Sequence, residues 1–411
     1  MSARLDPADH PWLEDPDTRR VMEALSPGDS DRARFVGGCV RNALMGRPVE
    51  DVDIATRLQP GDAAAALEAA GVKVVPTGID HGTLTAVVAG KPFEVTSLRK
   101  DVETFGRRAV VAYTTDWAED AARRDFRCNA VYARRDGTLF DPLGGIADAR
   151  SGAVVFIGDP VTRIAEDYLR ILRFYRFNAW YGAGLDRDGH AACMDMAGRL
   201  DELSAERVWK ELKTLLRAND PRAVVKAMQE GNVLDEVLGA HLDFRRFAGI
   251  INEDLTSARE PDALLRLVAL MGRDTGKLER IMARMKASNA ERKRAEAMIA
   301  RPGDPCVRPA MSAARRGRAL YALGAEAVIA RLRLDEAEGL GQAGDDIDAA
   351  RVWTRPRFPL KGKDLVAEGH PPGPELGETL ARLEAEWIDS AFTLGRAALV
   401  QRARALRGGG A

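Results

Sequence analysis

One pattern constrains this chain more than any other, a glycine pair followed at fixed spacing by a carboxylate pair. It runs Phe35-Val-Gly-Gly-Cys-Val-Arg-Asn-Ala-Leu-Met-Gly-Arg47, then Asp51-Val-Asp53 opening the apolar Ile54-Ala55. Alternate residues of a strand point to one face, so Asp51 and Asp53 are expected to project together, with their oxygens close enough to share cations. Hard carboxylate oxygens in a small cluster suit Mg²⁺, which completes its shell with water and phosphate oxygens. Gly37 and Gly38 separate the β-type Phe35-Val36 from a helix-like run. A backbone bare of side chains there can approach a triphosphate, where helix N–H groups and the dipole favour negative charge. Each half also has a packing explanation; their order and spacing together predict nucleotidyl transfer.

The succession of strand, Gly-Gly, helix with Arg41, turn at Gly46-Arg47-Pro48 and D-x-D resembles the signature of the polymerase-β-like nucleotidyltransferase superfamily. That resemblance implies a third carboxylate on a neighbouring strand. Glu94, within Lys91-Pro-Phe-Glu-Val-Thr-Ser-Leu-Arg99, is the candidate.

The 411 residues suffice for two to four compact units. Short β-type runs at 33–36, 52–55, 84–88, 92–98, 130–133 and 154–157 alternate with helical segments. Residues 1–157 therefore read as the catalytic head of an α+β protein. From about Asp159 the periodicity is helical, with breaks near Ala218-Asn-Asp-Pro221, Glu260-Pro261, Arg301-Pro-Gly-Asp-Pro305 and Arg355-Pro-Arg-Phe-Pro359. These divide the rest into a neck (158–220), a helical body (221–350) and a tail (351–411).

A balance of 61 Lys+Arg against 62 Asp+Glu excludes polybasic-tail binding of nucleic acid while allowing a local basic groove. Four scattered cysteines without a C-x-x-C pair suggest neither zinc nor disulfides, and place the chain in the reducing cytoplasm. No stretch approaches the roughly 18–20 apolar residues of a membrane span.

Four further clusters bear on chemistry. His81, in Pro76-Thr-Gly-Ile-Asp-His-Gly-Thr83, is either a base or, as the simpler reading, a structural residue. The charged run from Arg99 to Arg108 is a solvated loop or an element that swings over the nucleotide. In Glu119-Asp-Ala-Ala-Arg-Arg-Asp-Phe126, Arg124 is a candidate triphosphate clamp, because a guanidinium fork matches phosphate oxygens. Asp125 is a candidate acceptor for a ribose hydroxyl. Asp141-Pro-Leu-Gly-Gly-Ile-Ala-Asp148 is a tight connection or a hinge.

The segment Arg163-Ile-Ala-Glu-Asp-Tyr-Leu-Arg-Ile-Leu-Arg-Phe-Tyr-Arg-Phe177 reads as one helix face of acids and guanidinium groups. Arg170, Arg173 and Arg176 at i+3 spacing repel one another, which predicts an anionic ligand along them. Asp167 and Arg170 form an acceptor beside donors. Cytosine and adenine each offer an amino donor beside a ring acceptor, so this edge can accept C and A and reject U and G. The scale of such discrimination is about 1–3 kcal/mol per bidentate pair.

With these elements in order, the chain resembles the class II tRNA nucleotidyltransferases, the CCA-adding family, relatives of bacterial poly(A) polymerases. Leu203-Ser-Ala-Glu-Arg-Val-Trp-Lys-Glu-Leu212 is similar to the family's helix-stabilising motif, and Phe358-Pro-Leu-Lys-Gly-Lys-Asp-Leu365 with Gly369-His-Pro-Pro-Gly-Pro-Glu-Leu-Gly377 to its C-terminal region. The resemblance implies a five-strand mixed head sheet and helical parts that cup the acceptor arm of tRNA, with CTP and ATP as substrates. It implies Gly38 and Arg41 near the triphosphate, Asp51 and Asp53 on Mg²⁺, Arg124 on the nucleotide, and Asp167, Arg170, Arg173 and Arg176 as template and phosphate contacts. Asn42 stands where the family has Asp, which is expected to weaken an orienting role there. The basic, acid-free stretch 351–363 offers Arg351, Arg355, Arg357, Lys361 and Lys363 to tRNA phosphates. Poly(A) polymerase, a CC-only or A-only enzyme and a noncatalytic RNA-binding relative are the alternatives.

Overall fold

The computed structural model describes residues 3–28, 30–79, 82–101, 111–239 and 242–408. His81 and positions 102–108 of the charged run lie outside these. The chain forms two compact units, one of residues 1–215 with 223–237, the other of 216–222 with 238–411. No helix among the described residues is long and apolar enough to cross a membrane.

The first unit is built on a mixed sheet. Its strands are β1 (Ala33–Val36), β2 (Asp53–Thr56), β3 (Lys73–Gly78), β4 (Thr83–Val88), β5 (Lys91–Ser97), β8 (Tyr132–Ala133) and β9 (Leu139–Phe140), in the order β3-β4-β5-β2-β1-β8-β9. A separate ribbon pairs β6 (Arg99–Asp101) with β7 (Val111–Tyr113). Only β2 and β5 run parallel. The sheet has seven strands where five were expected. Val154–Ile157 adds none of them, making only an isolated bridge from Phe156 to Phe126, while β3 and β9 extend the two edges. β3 shows why an edge is easily missed: it is half-exposed throughout and carries Pro76, which cannot donate to a ladder.

Helices α1 (Pro16–Leu25), α2 (Gly38–Leu44) and α3 (Pro60–Ala69) belong to the same head. Val21, Leu25, Phe35, Ile54, Leu67, Phe93 and Val95 meet in one core. Beyond the sheet come α4 (Trp117–Ala122), α5 (Gly145–Ser151), α6 (Pro160–Glu166), α7 (Leu169–Tyr181), α8 (Arg187–Asp195) and α9 (Ala205–Leu216). An aromatic cluster fastens α7 to the segments flanking β8, with ring centroids of Phe126 and Phe156 4.9 Å apart, Phe156 and Phe174 5.4 Å, and Phe126 and Phe177 5.2 Å. The expected single helix over 163–177 is two helices. Asp167 takes an extended conformation (φ −155°, ψ 104°) and ends α6, so it sits at a joint and not on a helical face.

At Asp141 the backbone N–H groups of Gly145 and Ile146 donate to the carboxylate at 2.8 and 3.0 Å, and a Cβ on Gly145 would lie 2.0 Å from the Arg127 carbonyl oxygen. This is the geometry of a tight connection. The second unit is helical, and its buried polar centre is Arg266, which pairs with Asp254 and donates to the carbonyls of Leu216, Ala218 and Asn219.

Candidate functional site

Gly37 sits at φ 72°, ψ −126°, a conformation closed to residues with a Cβ, and turns β1 directly into α2. A Cβ on Gly37 or Gly38 would stand 3.6 or 3.8 Å from an Asp53 carboxylate oxygen, so the bare backbone leaves a cradle beside that acid. Asp53 opens β2, and parallel pairing sets it directly opposite Glu94 on β5. Asp51 precedes the strand and is exposed. Burial, then the charges of Glu94 and Asp51, push the Asp53 carboxyl up to about 6, against the opposing pull of Arg124 and Arg41. A partly buried carboxylate crowded by two others is a place where a cation is missed. Among the described residues no three His, Cys, Asp or Glu side chains gather tightly enough to hold a metal alone. The donor set therefore fits an ion that takes its remaining ligands from water and phosphate, as Mg²⁺ does. Cys39, beside them, is buried and its thiol is pushed up to about 12, which leaves it unreactive.

Arg41 is buried in α2 and donates to Asn129 Oδ1 at 2.7 Å and Asn42 Oδ1 at 2.9 Å, with its guanidinium 3.9 Å from the Tyr181 ring centroid. Its Nε has no protein partner. Asn42 Nδ2 in turn donates to the Pro48 carbonyl at 3.0 Å. Asn42 thus links Arg41 to the turn at Pro48, and its amide makes a donation that an aspartate could not.

A cleft of about 470 Å³ is lined by Asp53, Glu94, Arg124, Asp125, Asp167, Arg170 and Arg173, and also by Arg99, Arg123 and Arg207. Gly38, Arg41, Asp51 and Arg176 lie outside that lining. Sequence reasoning did not single out Arg99, Arg123 or Arg207. Arg123 had a visible signal in its adjacency to Arg124, and Arg207 lay within the quoted neck motif.

The arginines of α7 are not an unpaired row. Arg170 pairs with Glu166, Arg173 donates from Nε to Asp125 Oδ2 at 2.8 Å, and Arg176 pairs with Glu211 at 2.5 Å. Their spacing is explained by three carboxylates, all of them from outside α7, so mutual repulsion gives no argument for a ligand. Asp125 is buried and also accepts from Asn129 at 3.1 Å. Burial alone would raise its carboxyl, but Arg173 outweighs that and holds it below the ordinary value. Asp167 accepts from the Leu169 N–H at 3.1 Å and from Arg207 at 2.7 Å. Asp167 and Arg170 both line the cleft.

In the second unit, Arg351, Arg355, Arg357, Lys361 and Lys363 are all exposed. Arg351 pairs with Asp348 at 2.8 Å, and Arg355 lies 4.3 Å from the Tyr321 ring centroid.

A family model described as the poly A polymerase head domain matches residues 33–155, and one described as a probable RNA and SrmB-binding site of polymerase A matches 185–242. The chain is 31% identical over 383 residues to the mitochondrial CCA tRNA nucleotidyltransferase 1 of Mus musculus, covering 91% of this chain and 87% of that protein. It is 29% identical to the CCA-adding enzyme of Limosilactobacillus fermentum, covering 87% and 88%. Among solved structures, the Bacillus stearothermophilus CCA-adding enzyme in complex with CTP superposes with a TM-score of 0.73 at 25% identity, over 96% of this chain and 99% of that one. With its mixed α+β head, its carboxylate and arginine cleft and this agreement along nearly its full length, the chain belongs to the CCA tRNA nucleotidyltransferase family.

Proposed function

We propose that the protein adds C, C and A to the 3′ end of tRNA from CTP and ATP, without a nucleic-acid template, and releases pyrophosphate. The observation that carries this reading is one cleft lined both by a carboxylate pair suited to a cation, Asp53 with Glu94, and by an acceptor-donor edge suited to a base, Asp167 with Arg170. Asp51 and Asp53 would hold Mg²⁺, and Glu94 supports them. When bound, the cation neutralises triphosphate charge and lowers the pKa of the attacking 3′-hydroxyl.

The chain's own groups do the rest. Gly38 leaves room for phosphate oxygens, while Arg41 and Arg124 supply positive charge that acts on Asp53. Asp167 accepts from the amino group of cytosine or adenine, and Arg170 donates to the adjacent ring nitrogen. Uracil and guanine present a carbonyl to Asp167 and a ring N–H to Arg170, so acceptor meets acceptor and donor meets donor. Asp125 holds Arg173 in the orientation the cleft needs, while Glu211 holds Arg176 beyond its lining. The exposed cations Arg357, Lys361 and Lys363, with Arg351 and Arg355, contact the tRNA backbone. The head, neck, body and tail divisions at 157, 220 and 350 belong to this reading, as does a cytoplasmic location, consistent with four unpaired cysteines.

Incorporation of labelled CTP and ATP into a tRNA lacking its 3′ end tests the activity. Asp53→Ala retaining activity would defeat the metal assignment. Asp167→Ala is expected to admit UTP or GTP, and unchanged selectivity would remove the base-reading role. The head model's own description favours poly(A) polymerase as a second reading. Product length separates the two: three added nucleotides from CTP plus ATP against a long tail from ATP alone.

A further inference from the structure

Asp120 is the most heavily used acid in the head. It lies on α4 and is buried to 1% exposure. One oxygen, Oδ2, accepts from the Tyr132 hydroxyl at 2.7 Å and from Arg124 Nη2 at 3.0 Å; the other, Oδ1, accepts from Arg123 at 2.7 Å and from the Arg99 backbone N–H at 3.1 Å. Arg124 Nε also donates to the Tyr132 hydroxyl at 3.2 Å. Tyr132 is fully buried in the short strand β8, next to β1, the strand that ends at the glycine pair.

A guanidinium free to rotate would lose side-chain entropy on every nucleotide it clamped. Here two of its nitrogens are fixed by a carboxylate and a phenol that themselves cannot move, while Arg124 still lines the cleft. Burial would raise the Asp120 carboxyl, but Arg124, Arg123 and the Tyr132 hydroxyl overcome it and hold the group at about 2. The anchor therefore stays charged across the neutral range.

We infer that Asp120 and Tyr132 are positioning residues for nucleotide addition, acting through Arg124 by holding its guanidinium in place for the incoming triphosphate. The inference rests on the proposed nucleotidyl transfer and deepens it. Neither residue touches substrate, and Tyr132, whose side-chain bonds run only to Arg124 and Asp120, should act only while Arg124 is present.

A double-mutant cycle reads this dependence. Tyr132→Phe removes one oxygen and both of its hydrogen bonds while keeping the ring. It is expected to lower kcat/KM for CTP about tenfold, chiefly through KM for CTP, with KM for tRNA unchanged. In an Arg124→Gln background, Tyr132→Phe should change kcat/KM by less than about twofold, within the additivity error of independent sites. Equal cost in both backgrounds, or wild-type kinetics in Tyr132→Phe, overturns the inference. If Tyr132→Phe unfolds, Asp120→Asn, which keeps the shape of the side chain, carries the same cycle in an Arg123→Gln background, which removes its other cleft partner, with the same two outcomes. Calorimetric CTP binding by the same variants measures the coupling without turnover. A wild-type protein that binds CTP with this coupling yet extends no tRNA would therefore refute the proposed function and leave the inference standing.

Discussion

At Asp53, what suits a metal ion works against the unliganded fold. Its carboxyl titrates near 6 in the folded protein against 3.8 for the ordinary group, so folding is favoured while the native form is protonated. That advantage is fully present below pH 3.8 and is lost as pH rises through 6. At pH 7.5 the ionised group costs about 3 kcal/mol. Asp53→Asn should therefore abolish nucleotide incorporation and yet raise the melting temperature of the metal-free protein at about pH 7.5, with about a third of that gain at about pH 4.5. Thermal melts at the two pH values check the sign, and added Mg²⁺ should stabilise the wild type only. The glycine pair divides along similar lines. Gly37→Ala must adopt a positive φ and should destabilise by about 1–3 kcal/mol. Gly38→Ala meets only ordinary contacts, at 3.8 and 3.9 Å, and should melt like wild type while raising KM for CTP, because its methyl group fills the cradle.

Among elements, β1, β2, β4 and β5 were legible because each is a run of apolar or alternating residues bounded by turns, and Asp53 was legible because it opens one of them. The edge strands β3 and β9 were not, since an edge neither alternates cleanly nor runs long. The break at Asp167 was hidden for another reason. Residues 163–177 keep helical spacing across it, and only the extended backbone at Asp167 separates α6 from α7. The partners of the α7 arginines were equally out of view. Asp125 lies 48 positions from Arg173, and Glu211 lies 35 from Arg176, so a local reading saw the acids beside Arg170 and none for the other two. Asp120 gave no signal either, because an acid one turn from arginines reads as surface pairing until burial is known. In the second unit, Arg266 ties three backbone carbonyls to Asp254. Arg266→Met should cost about 3 kcal/mol in chemical denaturation, because those acceptors would be left buried and unpaired.

For the whole molecule, near-zero net charge makes the distribution of cations decisive. Arg357, Lys361 and Lys363 are exposed, and every backbone phosphate they neutralise should steepen the salt dependence of tRNA binding. Replacing all three by Gln should reduce the slope of log affinity against log salt by about 0.7 to 0.9 for each phosphate left without its cation, measured by titration between low and moderate salt. Unchanged slope would remove them from the interface. The cleft works under a different rule, set by the pairing of Arg170 with Glu166 and of Arg173 with Asp125. A nucleotide arriving there finds each guanidinium already engaged by a resident acid and must share or displace it. Stray chloride, a single atom that cannot span two guanidinium nitrogens, gains little, so the cleft behaves as an ion exchanger whose empty form is already neutralised from within.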